Sequence, residues 1–146
     1  MVIISAQIDL SVGSTLALGA MLTSLALQAT NSVIIGVLVG LITGLVVGLM
    51  IGIFVTKGGI PAFLASLGMM GVIRGVAMLV THTRPVVIYN ETYWRLFGDG
   101  VFFGFLPSAI FWTIIILVIT HVILKYTSLG RYFYATGGNR QAARFT

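Results

Sequence analysis

The sequence predicts an all-α, polytopic transmembrane protein with about four membrane helices. Of its 146 residues, 58% are hydrophobic and only 8% are charged, whereas soluble domains are usually about 25% charged. The apolar residues gather in four stretches, each close to the roughly 20 residues that a helix needs to cross the hydrocarbon core. The sequence lacks the alternation of apolar and polar residues that would indicate β-strands, and lipid does not accommodate an open sheet edge. Lipid is therefore the expected solvent for most of the chain.

The four predicted helices cover about residues 10–27, 33–55, 62–80 and 107–124. An external loop is predicted at 81–100 and a basic cytoplasmic segment at 125–146. Polar turns join the first three helices. Pro61 is well placed to open the third, because proline is favoured in the first helical turn. The alternative to four intact membrane helices is that one of the four is broken or re-entrant. We expect a single membrane domain over residues 1–146, as a fragment of a longer protein.

The basic residues predict which ends of the helices face the cytoplasm. Four helices place both ends of the chain on one side of the membrane. That side carries five basic residues and one acid: Lys57, Lys125, Arg131, Arg140, Arg144 and Asp9. The other side carries two basic residues and two acids: Arg84, Arg95, Glu91 and Asp99. Because cytoplasmic loops are enriched in Lys and Arg, the first side is predicted to be cytoplasmic. This bias accounts for the net charge of +5 without a nucleic-acid partner.

Glycine recurs at every fourth position of the second helix, at Gly36, Gly40, Gly44, Gly48 and Gly52. Residues four apart lie on nearly one face, and glycine there lets another helix approach closely. On a straight helix the stripe drifts by about 40° per step, so a partner helix would cross it at an angle. The pattern predicts a helix-packing face; the alternative is the general frequency of glycine in membrane helices.

Two places in the predicted spans carry polar groups. Arg74 lies deep in the third helix, where a charge costs about 2.5–3.5 kcal/mol. It is expected to face protein or a water-filled path, unless the third segment is short and Arg74 reaches the interface. Near the first helix, Asp9 and Ser11 are favoured cap residues. Alternatively, Asp9, Ser11 and Gly13 mark a broken helix whose amides line a translocation path.

The sequence predicts no catalytic residue, no cofactor and no metal site. It contains no cysteine and three acids in total. His82 and His121 lie on different helices without a carboxylate at metal-binding spacing, and no Gly-x-x-x-x-Gly-Lys-Ser/Thr phosphate loop occurs. A secondary transporter would need intramembrane carboxylates for ion coupling, and none falls within a predicted span.

Three motifs follow one another along the chain: Ile8-Asp-Leu-Ser-Val-Gly-Ser14, then Gly59-Ile-Pro-Ala-Phe-Leu-Ala-Ser-Leu-Gly68 with Arg74-Gly75, then Leu129-Gly-Arg-Tyr-Phe-Tyr-Ala-Thr-Gly-Gly-Asn-Arg-Gln-Ala-Ala-Arg144. In these motifs the sequence resembles the permease subunit of bacterial ABC importers for ribose and related monosaccharides. The resemblance implies a multi-pass protein of the bacterial inner (cell) membrane, without enzymatic activity of its own. It also implies three protein partners: a cytoplasmic ATPase, a periplasmic or extracellular sugar-binding protein, and a second permease subunit.

The resemblance assigns the third motif to coupling with the ATPase. The residues concerned are Gly130, Arg131, Ala135, Gly137, Gly138, Asn139, Arg140, Ala142, Ala143 and Arg144. Gly137 and Gly138 are expected to permit a sharp turn, and Asn139 to cap the short helix that docks on the ATPase. A basic anchor on anionic membrane lipid is the alternative for this segment. For the whole chain, the alternatives are a segment of a secondary transporter or channel and a non-transporting assembly fragment.

Overall fold

The computed structural model describes residues 2–5 and 7–138. Six helices and one short hairpin follow one another in these residues: α1 (Val12–Thr30), α2 (Val33–Thr56), α3 (Ala62–Thr81), α4 (Glu91–Phe97), β1 (Val101–Phe102), β2 (Leu106–Pro107), α5 (Ser108–Tyr126) and α6 (Ser128–Gly138). Within the described residues, α1, α2, α3 and α5 are each long and apolar enough to cross a membrane. The predicted all-α, polytopic fold is confirmed, and each of these four helices is continuous.

The chain forms two compact units. The first covers residues 8–92 and contains α1, α2 and α3. The second contains the residues from Tyr93 onward, with the hairpin, α5 and α6, together with the residues before Ile8.

The three helices of the first unit enclose a small core. Its buried apolar side chains are Leu18 from α1, Val47 and Ile51 from α2, and Ala65, Met69, Ile73 and Ala77 from α3. Only 22–28% of each of these three spans is buried within the chain. Large apolar side chains such as Leu16 and Leu79 are about three-quarters exposed, at 75% and 76%. This distribution is expected in lipid, where exposed aliphatic side chains cost nothing and helices associate through close packing.

Hydrogen bonds at both ends of α1 show that α1 and α3 run in the same direction. Before α1, the Leu10 N–H donates to Ser66 Oγ, in the second turn of α3, at 3.1 Å. After α1, Asn90 Nδ2 donates to Asn31 Oδ1 at 2.8 Å, and Gln28 Nε2 donates to the carbonyl of Val87 at 2.8 Å. Because Val87 and Asn90 follow the end of α3, the end of α1 lies near the end of α3.

The segment predicted as one long external loop, residues 81–100, is partly helical. α4 occupies Glu91–Phe97, and Glu91 in its first turn suits the positive end of the helix dipole. The β1–β2 hairpin follows, with Val101 opposite Pro107 and Phe102 opposite Leu106. The sequence signal for this structure is the group of aromatic residues between 89 and 97, of which Tyr93 and Phe97 pack together whereas Tyr89 is 78% exposed.

Candidate functional site

The Asp9–Ser11 segment forms a tight turn that ends where α1 begins. Asp9 Oδ1 accepts the Ser11 N–H at 2.8 Å and the Ser11 hydroxyl at 2.6 Å. Ser11 is only 2% exposed, and its carbonyl accepts the Thr15 hydroxyl at 2.9 Å. Ser11 occupies the N-cap position, but its side chain makes no cap hydrogen bond. The predicted capping role of Ser11 is therefore wrong, because its hydroxyl donates to Asp9 instead of accepting from the helix.

The same segment bears on the broken-helix alternative. Residues 8–11 are not helical, so the helix does start late. The amide of Leu10 is bonded to Ser66 Oγ, and that of Ser11 to Asp9. Ser66 is fully buried and its hydroxyl donates to the Phe63 carbonyl at 3.1 Å. The Leu10 amide holds the segment against α3, the Ser11 amide closes the turn on Asp9, and neither is free to bind a passing molecule.

Arg74 lies on the wall of a half-open cavity between α1 and α3. The cavity has a volume of about 380 Å³ and is lined by Gly13, Ser14, Ala17 and Met21 from α1 and by Arg74, Ala77 and Met78 from α3. A Cβ atom at Gly13 would have no neighbour within 4 Å, which leaves the cavity wide at that point. The structure thus brings Gly13 and Arg74, two of the residues predicted for a path, to one cavity. Asp9 and Ser11 do not line it.

Arg74 lies well inside α3, away from both ends of the helix. It is the thirteenth residue of α3, which has 20 residues, so it lies about 18 Å from the start of the helix. α3 is continuous and, by its length and composition, long enough to cross a membrane, so it is not a short segment; the alternative that the Arg74 side chain reaches the interface stays a prediction. Among the described residues, no acidic side chain pairs with Arg74. The charge of Arg74 is therefore left to water or to protein outside the described residues.

The glycine stripe of α2 contacts α1 at two of its five positions. A Cβ atom at Gly36 would lie 2.9 Å from the Leu27 side chain, and one at Gly40 would lie 2.6 Å from Thr23 Oγ1. The Thr23 hydroxyl also donates to the Gly36 carbonyl at 3.1 Å, in a buried position. Close packing of α1 and α2 is thus concentrated at one end of the stripe.

At the other three glycines, Gly44, Gly48 and Gly52, a Cβ atom would meet no described atom within 4 Å. Within the described residues, the packing face predicted for these three positions is therefore not found. The buried residues of α2 are instead Gly36, Thr43, Val47 and Ile51. Thr43, Val47 and Ile51 are also four residues apart, but each lies one position before a glycine of the stripe. The buried face of this part of α2 is therefore rotated by about 100° from the face that carries Gly44, Gly48 and Gly52.

The coupling motif begins in α6, which turns sharply away from α5. Thr127 between the two helices is extended, with φ −110° and ψ 160°, and its hydroxyl donates to the Ile123 carbonyl at 2.6 Å. Gly130 is buried, and a Cβ atom there would overlap the carbonyl of Leu124. Gly130 is thus the residue that lets α6 pack closely on the end of α5.

The other coupling residues divide between α6 and the part of the chain beyond it. Arg131 is exposed and Ala135 is half-buried. Gly137 and Gly138 are helical, so the sharp turn predicted at these two glycines is wrong. A Cβ atom at Gly137 would overlap the carbonyl of Ile4, which gives a packing reason for that glycine. The remaining predicted residues, Asn139, Arg140, Ala142, Ala143 and Arg144, lie outside the described residues.

Sequence reasoning missed three polar contacts that hold the first unit together. They involve Thr23 with Gly36, Ser66 with Leu10, and Asn31 with Asn90. The available signal for Thr23 is its position four residues after Gly19, and for Ser66 its place inside the second motif. The Asn31–Asn90 pair joins residues 59 apart and has no local signal.

Comparison with known proteins relates the whole chain to transport permeases. The family model described as "Branched-chain amino acid transport system / permease component" matches residues 1–146. The "Ribose import permease protein RbsC" of Escherichia coli (strain K12) is 38% identical over 150 residues, covering 100% of this chain and 46% of the relative. The "L-arabinose transport system permease protein AraH" of the same strain is 39% identical over 140 residues, covering 96% and 42%.

A third relative comes from a distant bacterium. The "Ribose import permease protein RbsC" of Bacillus subtilis (strain 168) is 38% identical over 143 residues, covering 97% of this chain and 44% of the relative. No solved structure gives a significant match. The chain thus spans slightly less than half of the length of these relatives.

These matches confirm the resemblance that the three motifs predict. Together with the four apolar helices, they make the chain a multi-pass protein of the bacterial cell membrane. The chain belongs to the family of transport-system permease components that this model describes.

Proposed function

We propose that the protein is a membrane-spanning subunit of an ATP-driven importer for a ribose-type monosaccharide. In this role it forms part of the translocation path and has no enzymatic activity of its own. A cytoplasmic ATPase hydrolyses ATP, a sugar-binding protein delivers the sugar on the opposite side, and a second permease subunit completes the path. The names of the relatives, which are ribose and arabinose permeases, support this class of substrate.

The cavity beside Arg74 is the structural observation that carries the proposal. A guanidinium group at this depth needs water or a carboxylate, because an unpaired charge in hydrocarbon is costly. Since no described acid pairs with Arg74 and a cavity of about 380 Å³ lies beside it, water in the cavity is the simplest partner. A hydrated cavity between two membrane helices is what a path for a polar solute requires.

The lining of the cavity suits passage better than tight binding. Arg74 offers up to five N–H donors and Ser14 one hydroxyl, which match the many hydroxyl oxygens of a sugar. The other lining side chains, at Ala17, Met21, Ala77 and Met78, are apolar and offer few competing contacts. A solute that moves through a path must be bound well enough to enter and weakly enough to leave.

Coupling to the ATPase is assigned to α6 and the basic residues that follow it. Arg131 is exposed on α6, and the exposed aromatic rings of Tyr132 and Tyr134 lie on the same short helix. Arg140 and Arg144 extend the basic character of this end of the chain. Arginine with aromatic side chains is a combination enriched at protein–protein contacts.

Replacing Arg74 with methionine is expected to lower sugar uptake by about tenfold or more. The change removes hydrogen bonds to a charged group, each typically contributing about 1.5–3 kcal/mol, while the methionine side chain retains much of the apolar volume. Arg74→Lys should restore a large part of the uptake because it retains the charge. The measurement is uptake of labelled ribose and arabinose by cells making the full-length permease with its ATPase and binding protein.

Val72→Met is the matched control on the same helix. Val72 is 57% exposed and does not line the cavity, so its replacement should leave uptake unchanged. Assembly is monitored separately, by the amount of ATPase that co-purifies with each variant. Wild-type uptake by Arg74→Met would contradict the path, and failure of the wild-type permease to co-purify with any ATPase would contradict the proposed class of transporter.

A further inference from the structure

An aromatic cluster surrounds the first turn of α5. Phe97 stacks on Trp112 with ring centroids 5.0 Å apart, and Phe102 stacks on Phe111 at 4.5 Å. Phe111 and Trp112 meet edge to face at 5.7 Å, and Tyr93 lies 5.0 Å from Phe97. α4, the hairpin and the start of α5 therefore share one packed contact. Burial raises the pKa of the Tyr93 hydroxyl above its usual value.

Three hydrogen bonds fix residues 96–100, which precede the hairpin, to the start of α5. The Ser108 N–H donates to the Gly100 carbonyl at 2.8 Å, and the Ser108 hydroxyl donates to the Gly98 carbonyl. Trp112 Nε1 donates to the Leu96 carbonyl at 2.7 Å. Ser108 is fully buried by these contacts. These bonds hold the segment before the hairpin against α5, and the stacking of Phe102 on Phe111 holds the hairpin itself against α5.

The tip of this hairpin carries two phenylalanine side chains that are mostly exposed. Phe103 is 80% exposed and Phe105 is 77% exposed. Phe103 and Gly104 have left-handed backbone conformations, with φ of 56° and 78°. A bulky aromatic residue rarely adopts this conformation. The backbone strain at Phe103 must therefore be offset by favourable contacts of the hairpin or of its exposed rings.

The length of α5 places the hairpin at the membrane boundary. With 19 residues, α5 is about 28 Å long, which is close to the roughly 30 Å thickness of the hydrocarbon core. Since α5 has little excess length, its first residue, Ser108, must lie near one edge of the core. Phe103 is five residues before Ser108, and five extended residues span at most about 16 Å. The tip of the hairpin therefore lies within that distance of the edge of the core.

We propose that Phe103 and Phe105 insert into the interfacial layer of the lipid bilayer and anchor α5 at a fixed depth. The occupant of this apolar tip is lipid, because the length of α5 places the tip near the membrane boundary and both side chains there are apolar and mostly exposed. Aromatic side chains are enriched at this level of membrane proteins. The stacked cluster transmits the anchoring to α5, since it joins the hairpin to Phe111 and Trp112. This role is separate from translocation and does not depend on the substrate.

Spin-label accessibility tests the proposal in the full-length permease reconstituted in lipid nanodiscs. Residues 1–146 contain no cysteine, so Phe103→Cys and Phe105→Cys each give one label site once cysteines elsewhere are replaced. The readout is the ratio of collisions with oxygen, which dissolves in lipid, to collisions with a water-soluble nickel chelate. Ile116→Cys, at a position 61% exposed within α5, is the hydrocarbon reference, and Lys57→Cys in the polar turn after α2 is the aqueous reference.

The expected ratio at Phe103 and Phe105 lies well above that at Lys57 and approaches that at Ile116. A ratio equal to that at Lys57 would mean that the tip stands in water. Low collision rates with both reagents would mean that protein covers it. Either result would overturn the proposal, as would a change in label mobility that occurs only when the sugar-binding protein is added.

Discussion

Replacing Gly130 with alanine is expected to detach α6 from the end of α5. A Cβ atom at this position would overlap the carbonyl of Leu124, which is backbone and cannot rotate aside. Overpacking of this kind typically costs about 1–3 kcal/mol. Hydrogen exchange of the full-length protein should show faster exchange of the α6 amides. Because α6 begins the proposed coupling segment, sugar-dependent stimulation of the ATPase should fall in parallel.

The direction of this effect distinguishes an overlap with Leu124 from a simple gain in helix propensity. Alanine is a better helix former than glycine by about 1 kcal/mol, so without the overlap the same change would stabilise α6. Gly138→Ala serves as the control, because Gly138 is in the same helix and its Cβ atom would meet nothing within 4 Å. That variant should exchange as slowly as the wild type or more slowly. Slower exchange in Gly130→Ala would show that the predicted overlap with Leu124 is wrong.

Replacing Gly40 with leucine is expected to separate α1 from α2. A Cβ atom at Gly40 would lie 2.6 Å from Thr23 Oγ1, and the longer leucine side chain would also push away the Gly19 backbone. The buried bond from Thr23 to the Gly36 carbonyl would be lost with the contact, leaving the Thr23 hydroxyl without this acceptor. Together the clash and the lost bond should cost about 2–4 kcal/mol. A lower unfolding temperature in detergent and a lower yield of assembled permease would report the loss.

Gly48→Leu introduces the same residue on the same helix and is the matched control. Gly48 is exposed and its Cβ atom would meet no described atom within 4 Å. The unfolding temperature should therefore change little. Equal losses in the two variants would contradict the assignment of the contact to Gly36 and Gly40, and would show that the whole stripe packs against protein.

The same stripe shows what a repeat can and cannot predict. Its four-residue spacing indicates correctly that α2 allows close approach, since Gly36 and Gly40 both lie against α1. It does not tell where the contact ends. That depends on how α1 and α2 cross, and the close contacts that fix the position of the crossing are those of Leu27 with Gly36 and Thr23 with Gly40. The path prediction is divided in a similar way, because Arg74 and Gly13 line one cavity, whereas Asp9 and Ser11 are bonded to each other.

The sequence by itself determined the membrane class of this protein, its four spans and its family, because the length and polarity of a stretch decide its partition into lipid locally. It also determined that Arg74 needs an unusual environment, since the cost of burying a charge is a property of the side chain. Only the tertiary structure decided which groups meet: Leu10 with Ser66, Asn31 with Asn90, and Gly130 with the Leu124 carbonyl. Each of these contacts depends on the relative height and rotation of two elements, and residue types alone do not specify those quantities.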